Sequence, residues 1–576
     1  MDLMDSQRGA QKSNTSGANA KANRTLADVY KDLPINAEEE IRVVTLTPGK
    51  VDDLLDFEMK VVNIWDKNYA ALSYRWMGTK SEEMRINGTL VDKVHSNLHC
   101  ALTFIRANIS SPLDLWFDAI CINQGGEPEI KEQVLLMGEL YANAKKTIVW
   151  LGAPNKQSIS ALSHFSSLRD TSLMSLMDRY DQDKVEWLNF GDGVMNREWW
   201  GRAWMVQEMV CAKTVMFMCG NQQIDLERFA TLVDFTYSSG RPFTRESLPL
   251  SSEFHFRWQS FVEMYAARKM WQTRQTTTIA PWIYKFHSWG STKKKDRIIA
   301  YLGLASDYRG EFSQVEWQDL YTQTTIHVIK VEGYTDFICL GRGPDRDPEL
   351  PTWVPDVSIP YSAEARTGPL WCGWGSTHRK KYKASNDTPF QGSIYTSNNR
   401  LEVRARKVGE IKTISMPHDT GKHAIVDSRR LAFGENPRKR YPAGPETEWC
   451  EDALGSTLVW DLNYMEDRCT ASQGFFMNEV DIPPGFLNSY LGQLRDRRKA
   501  WEAQLEESRT KYRLGRRFAN VENPSLPGDM YAMVPPNTEV NDVIFVLTGA
   551  TVPMVFRSSR RWGSPGDEVY ELVGEW

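Results

Sequence analysis

Three closely spaced apolar segments constrain this chain more than anything else in it: residues 69–78 (YAALSYRWMG), 115–124 (LWFDAICINQ) and 147–152 (TIVWLG). Each reads as a strand that breaks into polar or glycine residues at its C-terminal end, and helical patterns separate them. That is how a parallel α/β sheet is written. Ligands of open α/β sheets collect outside the carboxyl ends of the strands. Ser73, Tyr74, Arg75, Asp118, Asn123 and Gln124 are therefore expected along one edge.

Around this core the chain of 576 residues is long enough for two or three domains. Residues 1–40 are expected as a disordered tail, because the first 24 are rich in Ser, Asn, Gln, Ala and Gly. Strands are expected at 41–46 and 57–64, and the Asn-Gly dipeptide in INGTL (86–90) predicts a hairpin. Asn97 is a candidate cap for a helix carrying Leu98, Ala101, Leu102 and Ile105. A strand over 115–122, a helix with Val134, Met137 and Tyr141 on one face, and a strand over 147–151 complete a β-α-β-α-β run. Helical patches follow at 159–168 and 173–180. In REWWGRAWMVQEMVC (197–211), Trp200, Trp204 and Glu208 stand four apart, a single stripe if the segment is one helix. The main domain is placed at 41–230, with a core of 69–208. Residues 231–576 are expected as a mixed α+β region with a loop-rich centre at 341–389 and a charged helix over 487–513.

Charge argues against a polyanion partner, since the net charge is −5 and the basic clusters at 293–295, 378–383 and 495–517 are short and flanked by acids. No nucleic-acid partner is expected. The eight cysteines are scattered without a CxxC pair, and His95 and His99 have no acidic partner at metal-ligand spacing. A reduced cytoplasmic protein with no metal site is expected. The longest apolar stretch, 543–556, is interrupted by Thr548, Gly549 and Pro553 and is too short for a membrane span.

Taken in order, YAALSYRWMG, SNLHCAL, LWFDAICINQ, EQVLLMGELYANAKKTIVWLG and WWGRAWMVQE resemble the fungal heterokaryon incompatibility (HET) domain over residues 69–208. IRVVTLTPG before them, and KKKDRIIAYLGLASDY, LPTWVPDVS and VNDVIFVLTGATVPMVFR after them, resemble the flanks common to fungal proteins with this domain. Met77 and Ile130 depart from the usual pattern. The resemblance implies a role in nonself recognition between fungal strains, with cell death as the outcome. It also implies self-association, contacts with other incompatibility proteins, and a flavodoxin-like sheet distantly similar to TIR domains. Ser73-Tyr74-Arg75 and Trp204…Glu208 match the Ser-aromatic-Arg and Trp-x-x-x-Glu patterns of TIR domains, which implies NAD as a possible substrate.

The residues themselves allow that chemistry. Cleaving a nicotinamide–ribose bond calls for a carboxylate at an oxocarbenium-like centre, and Glu208 is the candidate. Burial against Trp200 and Trp204 is expected to raise its pKa, with Arg75 or Arg202 keeping it ionised. Tyr74 and Trp76 are candidates for stacking on a base, and Asp118 for ribose hydroxyls, with Ser73, Arg75 and Trp204 completing the NAD pocket. Each has a plainer alternative: Glu208 as a surface acid or a partner of Arg197 or Arg202, Asp118 as a turn cap, Glu129 as an acid placed by the helix dipole, and Cys121 as a packed thiol.

Overall fold

The computed structural model describes residues 24–239, 252–273, 278–287, 289–308, 314–333, 335–341, 346–359, 384–386, 388–396, 399–417, 516–525, 530–559 and 569–575. The charged helix expected over 487–513, the basic cluster at 378–383, most of that at 495–517 and the first 23 residues of the expected tail lie outside them. The chain divides into two compact units, Met1–Gln275 and Thr276–Trp576.

In the first unit, helix α1 (Leu26–Asp32) precedes strands β1 (Glu40–Leu46), β2 (Asp56–Asn63), β3 (Ala70–Ser73), β4 (Lys80–Ile86) and β5 (Thr89–His95). Helix α2 (Ser96–Ala107), β6 (Leu113–Trp116), α3 (Asp118–Cys121), α4 (Glu127–Asn143) and β7 (Thr147–Trp150) follow. Helices α5 (Lys156–Ser167), α6 (Leu173–Arg179), α7 (Lys184–Phe190) and α8 (Ala203–Val210) lead to β8 (Val215–Cys219) and β9 (Gln222–Asp225), then α9 (Leu226–Ser239) and α10 (Ser252–Gln272).

These strands form one nine-stranded sheet of order β5-β4-β2-β1-β6-β3-β7-β8-β9. It is an α/β sheet, mixed in direction. Strands β6, β3, β7 and β8 run parallel, whereas β1 joins β6, β2 joins β1 and β9 joins β8 antiparallel. In chain order the parallel strands stand second, first, third, fourth, the arrangement of flavodoxin-like doubly wound sheets. Its switch point lies between β3 and β7, where Ser73 is in register with Val149.

Several local readings hold for the stated reasons. Asn87 and Gly88, both at positive φ, make a two-residue turn with Ile86 paired to Thr89. Three others are corrected. The strand expected over 115–122 ends at Trp116, and Asp118–Cys121 is a helical turn. A short apolar run does not by itself separate a strand from a buried helix, and Ile120 and Cys121 are buried either way. Asn97 does not cap α2, which begins one residue earlier at Ser96. Its amide turns inward instead, donating to the Arg75 carbonyl (2.7 Å) and accepting the Trp150 indole N–H (3.0 Å). Finally, Leu26–Asp32, inside the expected disordered tail, is helical, with Val29 and Tyr30 buried and the Tyr30 hydroxyl donating to the Ile120 carbonyl (2.8 Å).

The unit is tied together by a buried ion pair. Arg42 on β1, with 2% of its side chain exposed, forks onto both Glu129 carboxylate oxygens (2.6 and 3.1 Å) and also donates to the Leu33 carbonyl (2.8 Å). Glu129 in turn accepts the Asn123 backbone N–H (2.7 Å). At the far side, Trp200, Phe217, Phe229 and Phe261 form an aromatic cluster that joins the turn before α8 to β8, α9 and α10.

The second unit begins with α11 (Ile279–Phe286), α12 (Asp296–Leu302) and α13 (Trp317–Glu332). It continues with a hairpin of β10 (Gly392–Tyr395) and β11 (Arg400–Val403). Strands β12 (Ala405–Ile414), β13 (Arg517–Glu522), β14 (Met530–Val534), β15 (Val543–Leu547), β16 (Met554–Ser558) and β17 (Tyr570–Glu575) then form an antiparallel sheet of order β14-β13-β12-β15-β16-β17. One apolar cluster gathers Ile329, Ile338, Leu547 and Met554, and another gathers Ile411, Val521, Ile544 and Val555. Lys294, from the first basic cluster, lies over the Trp317 ring at 3.7 Å and pairs with Asp347.

Removing one member of the Arg42–Glu129 fork leaves a charge buried without compensation, so Glu129→Ala is expected to destabilise the protein by about 3–5 kcal/mol. The double variant Arg42→Met/Glu129→Leu is expected to recover most of that loss. Urea unfolding followed by tryptophan fluorescence measures both, and a single variant as stable as the parent would show that the fork contributes little.

Candidate functional site

The C-terminal end of β3 carries Ser73-Tyr74-Arg75-Trp76, and the structure brings part of the expected constellation to this edge. Ser73 is fully buried and donates its hydroxyl to the Glu208 carboxylate. The same oxygen accepts the Trp199 indole N–H at 2.9 Å. A single hydroxyl thus connects a strand end, an indole and an acid on α8.

The tryptophan beside this acid is not the one that spacing picks out. Gly201 sits at φ +89°, a conformation that suits glycine, and it separates Trp200 from α8, which starts at Ala203. The stripe of Trp200, Trp204 and Glu208 therefore does not exist as one helix face. Trp200 is buried in the aromatic cluster and donates to the Val194 carbonyl (3.1 Å), while Trp204 is partly exposed on α8. The indole linked to Glu208 through Ser73 is that of Trp199. Both adjacent tryptophans are buried and pack on each other (4.8 Å between centroids), and their spacing does not say which of them meets Ser73.

Glu208 is 7% exposed, and burial lifts its pKa from 4.5 to about 7. Within that net rise the Ser73 hydroxyl favours the ionised form, the Asp118 charge opposes it, and the Arg202 guanidinium favours it. Arg202 acts in the expected direction but does not outweigh burial. Arg75 does not: its guanidinium pairs with Glu198.

Asp118, at the start of α3, stands close to this acid. Both of its oxygens accept the Trp76 indole N–H (3.0 and 2.9 Å), and its backbone carbonyl accepts from the Gln124 amide (2.8 Å). Although part of its surface remains open, the packing around it raises its pKa, opposed by Trp76, Tyr74 and Arg202. Tyr74 is 4% exposed, and burial, then Asp118, Tyr141 and Glu208, push its phenol well above 10. Its hydroxyl faces the Asp118 carboxylate and favours the ionised form of that acid. Tyr141, on α4, donates to the Leu72 carbonyl (3.2 Å) and senses both acids, a contribution that helical spacing marks only as core.

The remaining candidates are structural in their contacts. Asn123 accepts from the Gly125 N–H (3.1 Å), Glu129 completes the Arg42 fork, and Cys121 is a buried free thiol that burial pushes up to about 12. Among the described residues no group of three or more His, Cys, Asp or Glu side chains is placed to hold a metal ion, and no helix is long and apolar enough to cross a membrane.

The edge built by Ser73, Asp118 and Glu208 falls inside residues 69–208, which match the family model described as heterokaryon incompatibility protein (HET). The chain carries a HET domain. It is also 23% identical, over an alignment covering 88% of each chain, to the heterokaryon incompatibility protein 6, OR allele, of Neurospora crassa. No solved structure matches it significantly. The HET match begins just before β3 and ends on Glu208, so it contains β3, β6 and β7 but neither β1 nor β8, their sheet neighbours. From α10, Arg268 donates to the carbonyls of Met209, Ala212 and Lys213, closing the C-terminal end of the helix that holds Glu208.

The raised pKa has a consequence for stability. The folded protein favours protonated Glu208, so this contribution is full below pH 4.5 and is lost as pH rises through about 7. In Glu208→Gln, which keeps an acceptor for Ser73, it is absent. The variant is expected to gain on the parent between those limits, by about 3 kcal/mol at pH 8. Thermal melts of both proteins from pH 4.5 to 8 measure this, and a constant difference in Tm would mean that the carboxyl is not raised.

Proposed function

We propose that this chain is an effector of fungal nonself recognition that acts in the cytoplasm to trigger cell death. Its HET domain would do so through the carboxylate site at Ser73, Asp118 and Glu208, as a TIR-like NAD glycohydrolase activated by assembly. The family match and the Neurospora relative support the incompatibility role. The reading of the site rests on one observation above others: Glu208 is buried at the carboxyl end of β3, bonded to Ser73, with the acid Asp118 beside it. Strongly perturbed acids at the switch point of an α/β sheet mark functional sites.

In this reading the nicotinamide–ribose bond lies against Glu208. The ionised carboxylate stabilises positive charge as the ring oxygen and anomeric carbon share it, and water then completes the hydrolysis. Ser73 holds the carboxylate in place, and Arg202 keeps it charged. With its pKa near 7, a large share of Glu208 is ionised at neutral pH.

A second reading makes the same edge an interface for self-association and for other incompatibility proteins. Trp76 and Met77, each 39% exposed on the loop after β3, favour it. NAD consumption by the purified full chain at high concentration, followed by product chromatography, separates the two. Nicotinamide release is expected, falling about 100-fold or more in Glu208→Ala. NAD left intact by both proteins, with both still killing fungal cells on expression, would overturn the hydrolase and leave the interface.

A further inference from the structure

The loop after β3 is anchored at both ends, and between them the Trp76 ring lies against that of His95, with centroids 6.0 Å apart. Arg75 is held by Glu198 through its side chain and by Asn97 through its carbonyl. Gly78, at φ +88°, lies so close to the start of α2 that an added Cβ would come within 2.1 Å of the Ser96 hydroxyl. Between these anchors, Trp76 and Met77 are exposed, yet the Trp76 indole is turned onto Asp118 with one N–H shared by both carboxylate oxygens.

That contact is economical for neither partner. A carboxylate presents two acceptors and is matched by two donors side by side, such as the vicinal hydroxyls of a ribose. An acid near the carboxyl ends of the strands of a doubly wound sheet is placed for that task. Behind Asp118, the buried Tyr74 phenol faces the carboxylate from the protein side, where its proton favours the ionised acid.

We infer that Trp76 is a built-in occupant of a vicinal-diol site: its N–H covers both Asp118 oxygens in the closed form, and the hydroxyls of a ribose displace it in the open form. The loop's anchors stay in place while Trp76 swings out, and Tyr74 stays on the protein side of the Asp118 carboxylate. This rests on the nucleotide reading of the site and adds to it a self-blocking step. It reverses the sign expected if Trp76 were a stacking platform, because removing a platform weakens binding whereas removing an occupant strengthens it.

Titration calorimetry of the full chain with adenosine 5′-monophosphate and with its 2′,3′-dideoxy analogue tests the site. Trp76→Phe keeps the ring and removes the N–H, and is expected to bind the nucleotide about tenfold more tightly than the parent, the size of one charge-assisted hydrogen bond. The gain should vanish with the dideoxy analogue and in Trp76→Phe/Asp118→Asn. Trp76→Leu is the second variant, and unchanged thermal melts establish that either is folded. Equal or weaker binding by Trp76→Phe and Trp76→Leu, a gain that persists with the dideoxy analogue, or no binding by any variant overturns the proposal. The outcome is separable from hydrolysis. Tighter binding in a chain that never releases nicotinamide upholds the diol site and sinks the hydrolase, while nicotinamide release with unchanged affinity does the reverse.

Discussion

Arg42 enters the first unit from β1 with almost none of its side chain exposed, and the segment that carries Asp118 is fixed through its guanidinium. The fork onto Glu129 sets where α4 begins, and the same carboxylate takes the Asn123 N–H, closing the loop between α3 and α4. A further bond reaches the Cys121 carbonyl at the end of α3 (3.4 Å), and another the Leu33 carbonyl after α1. An antiparallel strand outside the parallel core therefore supports the turn on which the candidate diol acceptor stands. A buried pair of this kind is poor evidence for stability in itself, since two desolvated ions offset most of their attraction. Its value here is positional: with four acceptors for one guanidinium, few other arrangements of these segments satisfy it.

Much of this architecture is written in the sequence wherever periodicity and turn chemistry agree. Strands β1, β3 and β7 are runs of apolar residues with clear stops, and the Asn-Gly turn between β4 and β5 requires the positive φ that those residues supply. What sequence reading loses is orientation within an apolar run. LWFDAIC looks like continuous strand because burial, not backbone conformation, produces its pattern, and the helical turn at Asp118 is invisible to it. The stripe through Trp200 fails for a related reason. Spacing by four presumes an unbroken helix, and one glycine at positive φ, Gly201, takes Trp200 off the face of α8 and leaves Trp199 to meet Ser73. Long-range partners such as Arg42 for Glu129 and Glu198 for Arg75 have no local signature at all, because the fold alone makes them neighbours.

The site shows the opposite balance from the core around it. Ser73, Tyr74 and Asp118 are legible as a group, since polar residues that follow buried strands have few other reasons to be there, whereas Glu208, on α8, stands out only through the Trp-x-x-x-Glu pattern. Their energetics are not legible. The pKa of Glu208 follows from how completely α8 presses it beneath Ser73 and Trp199, and that depends on elements distant in sequence. Arg268 is the clearest case. It lies 60 residues beyond Glu208 in the numbering, yet it takes the carbonyls at the end of α8 and so restrains the helix on which the acid sits.

That geometry bears on what the HET segment is physically. Residues 69–208 hold the groups that converge, but cut out alone they would expose β6 where β1 covers it and β7 where β8 does. Parallel strands are buried on both sides of the ladder as well as on both faces, and an unpaired edge in their midst invites association with another chain. The aromatic cluster of Trp200, Phe217, Phe229 and Phe261 would also lose three of its four rings, because only Trp200 falls within the segment. The working unit is accordingly larger than the recurring sequence block. The block holds the residues that meet at the strand ends, and β1, β8 and α10 supply the burial and the caps that hold an acid there with a pKa close to neutrality.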